Sequence, residues 1–418
     1  MQLTRPHTLA LAATLAVAAL VPTLVPARAR ATGAEASSRL TMFLEPSNEK
    51  NNNGISVVHP QVDLSAVLGS SFKLAAGYEV DIVSGSTPRI FGPRTTGVDV
   101  VSSATKFSDT RHQVHAALGY DRPSSALSAG YSYGWESDYK SHAITAATRS
   151  DLLEHNFSLG LSYTHNFDSV CDANNSNIGD NPLSLRPLTS SVDCFNSAAT
   201  DTTTRRLHID TFQPSLSWTA TPRMVVQLGS TIQILDGFQS NPYRSVLLGQ
   251  QHRTPQERLP QFRQRYAVYA RLLYALPAIR GSAQLLARLY EDSWAVQAAT
   301  GEVLLNKYVN QSLIFTARGR YHRQTGASFY LDGREYLLLG PNGKYWTGDR
   351  ELSPMSNYLV GGKLAWLRRP EQERSSWFVE MELTVKYELL MYQLDTADAP
   401  NADRTRAHIL QGAFSLRF

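Results

Sequence analysis

The sequence predicts an all-β fold: a transmembrane antiparallel up-and-down β-barrel of about sixteen strands. Three observations carry this expectation. Apolar residues recur with a period of two in many separate segments, giving strands with one greasy and one wetter face. The connections between those segments are lopsided. Counted back from the C-terminus, the long ones fall on one side and the tight turns on the other, as in barrels with short periplasmic turns and long outer loops. A soluble sandwich would mix long and short loops at both ends. The chain also stops on an alternating strand with a terminal aromatic, Leu410, Gly412, Phe414, Leu416 and Phe418 against Gln411, Ala413, Ser415 and Arg417. A closing strand of this kind pairs with the first and leaves no open edge in lipid. Its alternating glycine, hydrophobic and aromatic pattern ending on Phe418 resembles the C-terminal signal read by the bacterial barrel-assembly machinery, which is the expected assembly partner.

The N-terminus reads as an export signal spanning residues 1–31. Arg5 and His7 precede an apolar run from Leu9 to Val25, and small residues follow at Ala27, Ala29 and Ala31. Either Ala27-Arg28-Ala29 or Ala29-Arg30-Ala31 presents an A-x-A cleavage site. The mature barrel is then expected over residues 32–418, with outer-membrane lipids around it in the bacterial outer membrane. No later stretch is long and apolar enough for a membrane helix. A hydrophobic content of only 42% suits a barrel in which alternate residues face lipid. The net charge of +4 is too small and dispersed for a nucleic-acid partner.

Each element follows from the alternation. Short runs begin at Arg39–Glu45 and Ile55–Leu68, and Phe72–Val83 alternates cleanly. Thr110–Tyr120 and Ala126–Tyr139 are joined by Asp121-Arg122-Pro123-Ser124. Ala143–Arg149 leads to Asn156–Phe167, the clearest alternation in the chain. Leu207–Trp218 contains Pro214, which implies a bulge. Met224–Leu235, Gln264–Ala275, Ser282–Tyr290, Trp294–Leu305, Ser312–His322, Tyr358–Leu367 and Trp377–Leu390 complete the set before the final strand. Aromatic residues near strand ends, among them Tyr131, Tyr133, Trp135, Trp366 and Trp377, are placed as interfacial girdles would be.

With apolar residues outward, the inward set is charged. Arg263, Arg265, Arg271, Arg288, Arg318 and Arg320 fall on three nearby strands, Glu380, Glu382, Lys386 and Glu388 on a fourth, and Glu79 and Asp81 on a fifth. A basic wall facing an acidic one sets a field across a water-filled pore and steers anions. The same charges would otherwise pair and hydrate as a structural network. Cys171 and Cys194, both in one polar stretch, are expected to pair in an oxidising compartment and staple a loop of about 24 residues, worth roughly 3 kcal/mol.

No catalytic constellation emerges. The histidines are scattered, and there is no Gly-x-Ser-x-Gly elbow, His-Glu-x-x-His or Gly-rich phosphate loop. The expectation is a pore or transport protein for small polar or anionic solutes, not an enzyme, with no metal and no resident cofactor. One loop supports an alternative. Asp99-Val100-Val101-Ser102-Ser103-Ala104-Thr105 resembles the acceptor motif for covalent FMN attachment through a threonine phosphoester, with Thr105 as acceptor. A degraded echo lies at Asp81-Ile82-Val83-Ser84-Gly85-Ser86-Thr87. The usual downstream Thr is replaced by Lys106 and Phe107. On that reading the barrel is a scaffold or redox partner rather than a channel.

Several stretches together resemble a bacterial outer-membrane family known as domain of unknown function 3570. They are Gly77 through Ser86, Asp99 through Thr105, Asp109-Thr110-Arg111, Tyr290-Glu291-Asp292-Ser293-Trp294, Arg320-Tyr321-His322-Arg323-Gln324 with Phe329-Tyr330, and Glu351-Leu352-Ser353. The resemblance covers nearly the whole mature chain. It implies an exported barrel, and proximity to periplasmic flavin-transfer and redox proteins, but supplies no catalytic residues.

Overall fold

A computed structural model describes residues 33–46, 54–85, 102–104, 107–173, 182–188, 194–195, 202–246, 248, 254–331, 343–370, 378–394 and 404–418. The export signal read at residues 1–31 lies outside them. In chain order the strands are β1 (Glu35–Glu45), β2 (Ile55–Leu68), β3 (Phe72–Gly85), β4 (Ser102–Ala104), β5 (Phe107–Arg122), β6 (Ser125–Trp135), β7 (Tyr139–Leu152), β8 (Phe157–Ala173) and β9 (Thr202–Thr221). They continue with β10 (Met224–Gly237), β11 (Arg244–Val246), β12 (Phe262–Leu276), β13 (Gly281–Asp292), β14 (Gln297–Tyr308), β15 (Leu313–Gln324), β16 (Met355–Arg368), β17 (Glu380–Leu394) and β18 (Arg404–Arg417).

All strands but β4 and β11 form one closed antiparallel barrel, in the order β1-β18-β17-β16-β15-β14-β13-β12-β10-β9-β8-β7-β6-β5-β3-β2. Sixteen strands close when β18 pairs with β1, from Glu35 opposite Arg417 to Leu44 opposite His408. The C-terminal alternating strand thus removes the last edge, as its sequence demands.

The longest connections do share one side, but the expected separation of long from tight connections is not complete. The 136–138 and 293–296 connections on that side are tight, and the 369–379 connection on the opposite side is the longest there. Pro214 makes no bulge. β9 keeps one register with β8 on one side, where Leu161 faces Pro214, and with β10 on the other, where Phe212 faces Ile232 and Ser215 faces Gly229. A proline removes only a single donor, so the ladder skips a rung and the strand runs on. The irregularity in this pair lies beside the turn, between Met224 and Val225.

The outward face carries the apolar band. Leu64, Leu74, Leu118, Leu127, Ile144, Leu161, Leu228, Val268, Leu285, Val303, Leu364 and Val385 are all exposed. Below it, towards the tight turns, sit Phe72 against Tyr120 and Phe157 against Trp218. Above it a chain of neighbouring rings runs from Tyr78 through His112, Trp135, Tyr133, His142 and Phe167, each pair with centroids 4.7–6.2 Å apart. Two aromatic girdles flanking an apolar band fit the two interfaces of a bilayer. The chain is an outer-membrane β-barrel. No helix among the described residues is long and apolar enough to cross a membrane.

Candidate functional site: an arginine-lined chamber under a cap

The connections on the long-loop side pack into a cap over the mouth. β4 pairs with β11, and Arg258 bridges to Trp346. Trp346 is fully buried against Val246 and Leu248, and its indole N–H donates to the Gln256 carbonyl at 2.8 Å. The charges here are matched. Arg244 contacts Glu257 at 3.2 Å and Asp349 at 2.8 Å, and Glu257 also accepts from Thr347 at 2.5 Å and from the Asn241 N–H at 3.0 Å. The Arg244 guanidinium is held above its ordinary value, because these two carboxylates outweigh its burial. Burial alone would raise the Asp349 carboxyl, but Arg244 holds it below the usual range.

The cap reaches both sides of the mouth. Gln256 donates to Asp172 at the top of β8 at 3.0 Å, and Arg350 pairs with Glu45 at the top of β1 at 3.1 Å. Cys171, also at the top of β8, is bonded to Cys194 with Cα atoms 5.6 Å apart, as the sequence led one to expect. The pair packs with Leu188 and Tyr243. Of the flavin-type motif, Ser102–Ala104 form β4 within this cap, while Asp99–Val101 and Thr105 lie outside the described residues.

Three of the motif stretches from the sequence converge at the cap's underside. Trp294, Ala327 and Leu352 share one buried cluster with Leu259 and Val296, and Tyr290, Phe329 and Tyr330 pack against it. Asp292 organises this turn. It accepts the backbone N–H groups of Trp294 at 2.9 Å and Val296 at 3.0 Å, the Tyr290 hydroxyl at 2.7 Å, and the Arg263 Nε at 2.9 Å.

Beneath lies a chamber of about 1090 Å³ against the inner wall of β9, β10 and β12–β16. All six arginines singled out from the alternation line it: Arg263, Arg265, Arg271, Arg288, Arg318 and Arg320. The strand pairing explains their convergence. Inward residues recur at every second position, and register brings Arg271, Leu286, Glu302 and Arg320 into one row across β12–β15. Arg288 stands in the next row, opposite Tyr269 and Thr300.

The six differ in their partners. Arg263 is claimed by Asp292, and Arg318 by Glu302 at 2.6 Å and Glu388 at 2.8 Å. Among the described residues, Arg265 and Arg271 donate only to amide oxygens, of Gln233 at 3.0 Å and Gln227 at 3.3 Å. Arg288 and Arg320 have no hydrogen-bond or ion-pair partner among the described residues. The Nε atoms of Arg265, Arg271 and Arg320 are buried without a partner among the described residues.

The acidic candidates divide. Glu79 and Asp81 on β3 lie across the barrel from β12 and β13 in the strand order, both near His59, at 3.8 and 2.6 Å. Glu380, Glu382, Lys386 and Glu388 on β17 lie on the arginine side instead, two strands from β15. Glu388 reaches Arg318 over β16 because Gly361 stands between them. A Cβ there would meet Glu388 Cγ at 2.5 Å and the Tyr387 carbonyl at 2.6 Å. Lys386 pairs with Glu388 at 3.2 Å, Glu380 with Arg369 at 2.6 Å, and Glu382 accepts from Thr384 at 3.0 Å. Gly77 plays the same part on the far wall, leaving room for His115 to reach Asp63 at 3.2 Å.

The cap latch of Arg244, Glu257 and Asp349 escaped the sequence reading, since its members lie far apart in polar loops. The one signal was a lone tryptophan, Trp346, in a Gly-rich stretch where a solvated loop has little use for it.

No relative is found among curated protein sequences. Among solved structures, the chain is similar to a bacterial polysaccharide outer membrane secretin, with 10% identity over 93% of this chain and 99% of that one at a TM-score of 0.47. It is also similar to Pseudomonas aeruginosa OccK2 (OpdF), crystallised with glucuronate, with 10% identity over 92% and 97% at 0.39. Pseudomonas aeruginosa OccD3 (OpdP) is 7% identical over 92% and 91% at 0.43. None of these is close enough to carry a statement about solutes. The family model described as "Protein of unknown function (DUF3570)" matches residues 7–368, and the chain belongs to that family.

Proposed function

We propose that the barrel passes small polar solutes across the outer membrane and prefers anions. The observation that carries this reading is the chamber, where four of six lining arginines lack a carboxylate partner among the described residues. A structural network would match its charges, because an unpaired buried charge is costly. Unmatched guanidinium groups along a water-filled wall instead raise the local anion concentration and disfavour cations. The acidic side chains on β3 lie opposite, so an anion is drawn to one wall rather than held in the axis.

The cap restricts entry, so conductance through the wild-type barrel is expected to be small and to fluctuate with cap motion. Insertion would rely on the barrel-assembly machinery reading the strand that ends at Phe418. Swelling of proteoliposomes tests the reading. Gluconate should enter faster than a neutral sugar of the same size, and a cationic amino acid slowest. Equal rates for all three, or no swelling, contradict it.

A further inference from the structure

Resting on the anion-preferring reading, we infer that the chamber holds a binding site for multivalent oxyanions. These are small solutes carrying two or more carboxylate or phosphate groups. The inference comes from how the unmatched arginines are spread. Arg265 and Arg271 are on β12, Arg288 on β13 and Arg320 on β15. β12 and β15 are three strand spacings apart, about 14 Å along the wall. One small monovalent anion cannot engage both ends of that span, whereas a solute with a charged group at each end can bridge it.

The local chemistry agrees. Arg271 and Arg320 share a pairing row, separated by Leu286 and Glu302. Glu302 turns one oxygen, Oε2, to Arg318, which it meets through both Nε at 3.1 Å and Nη2 at 2.6 Å. Of the other carboxylates lining the chamber, Asp349 is committed to Arg244, which leaves Glu351 against four arginines. The buried, unpartnered Nε atoms of Arg265, Arg271 and Arg320 are donors in need of an acceptor. A guanidinium presents its N–H groups as a fork that matches carboxylate and phosphate alike. Thr300 and His322, hydrogen-bonded at 2.8 Å, face the same space and supply neutral polar contacts between the charged ones.

The test uses the refolded full chain in planar bilayers, with chloride current as the readout. Citrate and pyrophosphate are the probes, and acetate is the monovalent control. Citrate or pyrophosphate should block the current saturably, at concentrations at least tenfold below those at which acetate acts. Tighter block by citrate assigns carboxylate solutes, and by pyrophosphate phosphate solutes. The Arg288→Gln/Arg320→Gln double variant should raise the half-blocking concentration about tenfold. Lys363→Gln, an inward charge on β16 outside the chamber, should leave it unchanged. An anion-selective current that citrate and pyrophosphate block no better than acetate overturns the site and leaves the pore reading standing. If the barrel is silent, calorimetry in detergent reads the site without conduction. Citrate or pyrophosphate heat lost in the double variant supports it, and absence of heat overturns it.

Discussion

The cap and the chamber wall below it use the same residue in opposite ways. In the cap, Arg244 meets two carboxylates and Arg350 meets Glu45. On the wall, Arg265, Arg271, Arg288 and Arg320 meet none among the described residues. Cap arginines therefore hold structure together, since a buried charge with matched partners stabilises only while every partner stays in place. On the proposed reading, wall arginines add little to the fold and keep their charge for an entering solute. The contrast teaches that the pairing of an inward charge, rather than its presence, separates scaffold from site.

The largest expected effect lies in the cap. Glu257→Gln leaves Arg244 with Asp349 alone and should weaken the cap by about 3–5 kcal/mol. The barrel should remain folded, with faster protease nicking of the 238–261 connection and a larger conductance. Acid should act in the same direction. Arg244 keeps the Asp349 carboxyl below the ordinary range, so its stabilisation is complete above its unfolded value and is lost as pH falls through the lower folded one. Nicking rates measured below the ordinary carboxylate range should rise in the wild type and change less in Asp349→Asn. An unchanged cap in either experiment would erase the distinction between the two regions.

Next comes Gly361→Ala, which forces a Cβ against a backbone carbonyl and the Glu388 side chain. It should cost about 1–3 kcal/mol in urea unfolding. Gly77→Ala should cost less, because the atoms it meets belong to the ends of His115 and Asp63. Removing the wall charges should do the reverse of the cap variant. Arg288→Gln/Arg320→Gln should leave urea unfolding unchanged or slightly improved, yet lower the anion-to-cation permeability ratio by roughly tenfold. Loss of stability equal to that of Glu257→Gln would mean the wall arginines are structural after all. The smallest effect is expected at Asp81→Asn. Its carboxylate already sits 2.6 Å from His59, so reversal potentials should move less than about twofold in permeability ratio.

Most of the fold was legible because a barrel repeats one local rule. Period-two alternation set both the strands and their inward faces, which is why all six arginines landed on one chamber. Pro214 misled only in detail, because a skipped rung and a bulge look the same in a sequence. The disulfide was legible from two cysteines in one polar stretch. Less legible was the grouping of charges around the barrel. Glu388 reads as a distant residue, but closure puts β17 two strands from β15, and Gly361 opens the path to Arg318. The cap was least legible. Its contacts join 244, 257 and 349, and no periodicity links loops that meet only after the barrel has closed. The Tyr290–Trp294 and Glu351–Ser353 stretches carried a family likeness, but only the folded chain gives its reason, a shared apolar cluster above the arginines.

The central claim is that unmatched arginines make the passage anion-preferring. Reversal potential across a salt gradient, measured on single wild-type barrels, tests it most directly. The account predicts a potential of the sign set by chloride, strongly reduced in Arg288→Gln/Arg320→Gln. A cation-set potential contradicts it. So does a barrel that never conducts, even with the cap loosened by Glu257→Gln. That result would shift attention to the cap as a docking surface, and intact-mass measurement would then ask whether Thr105 carries a flavin.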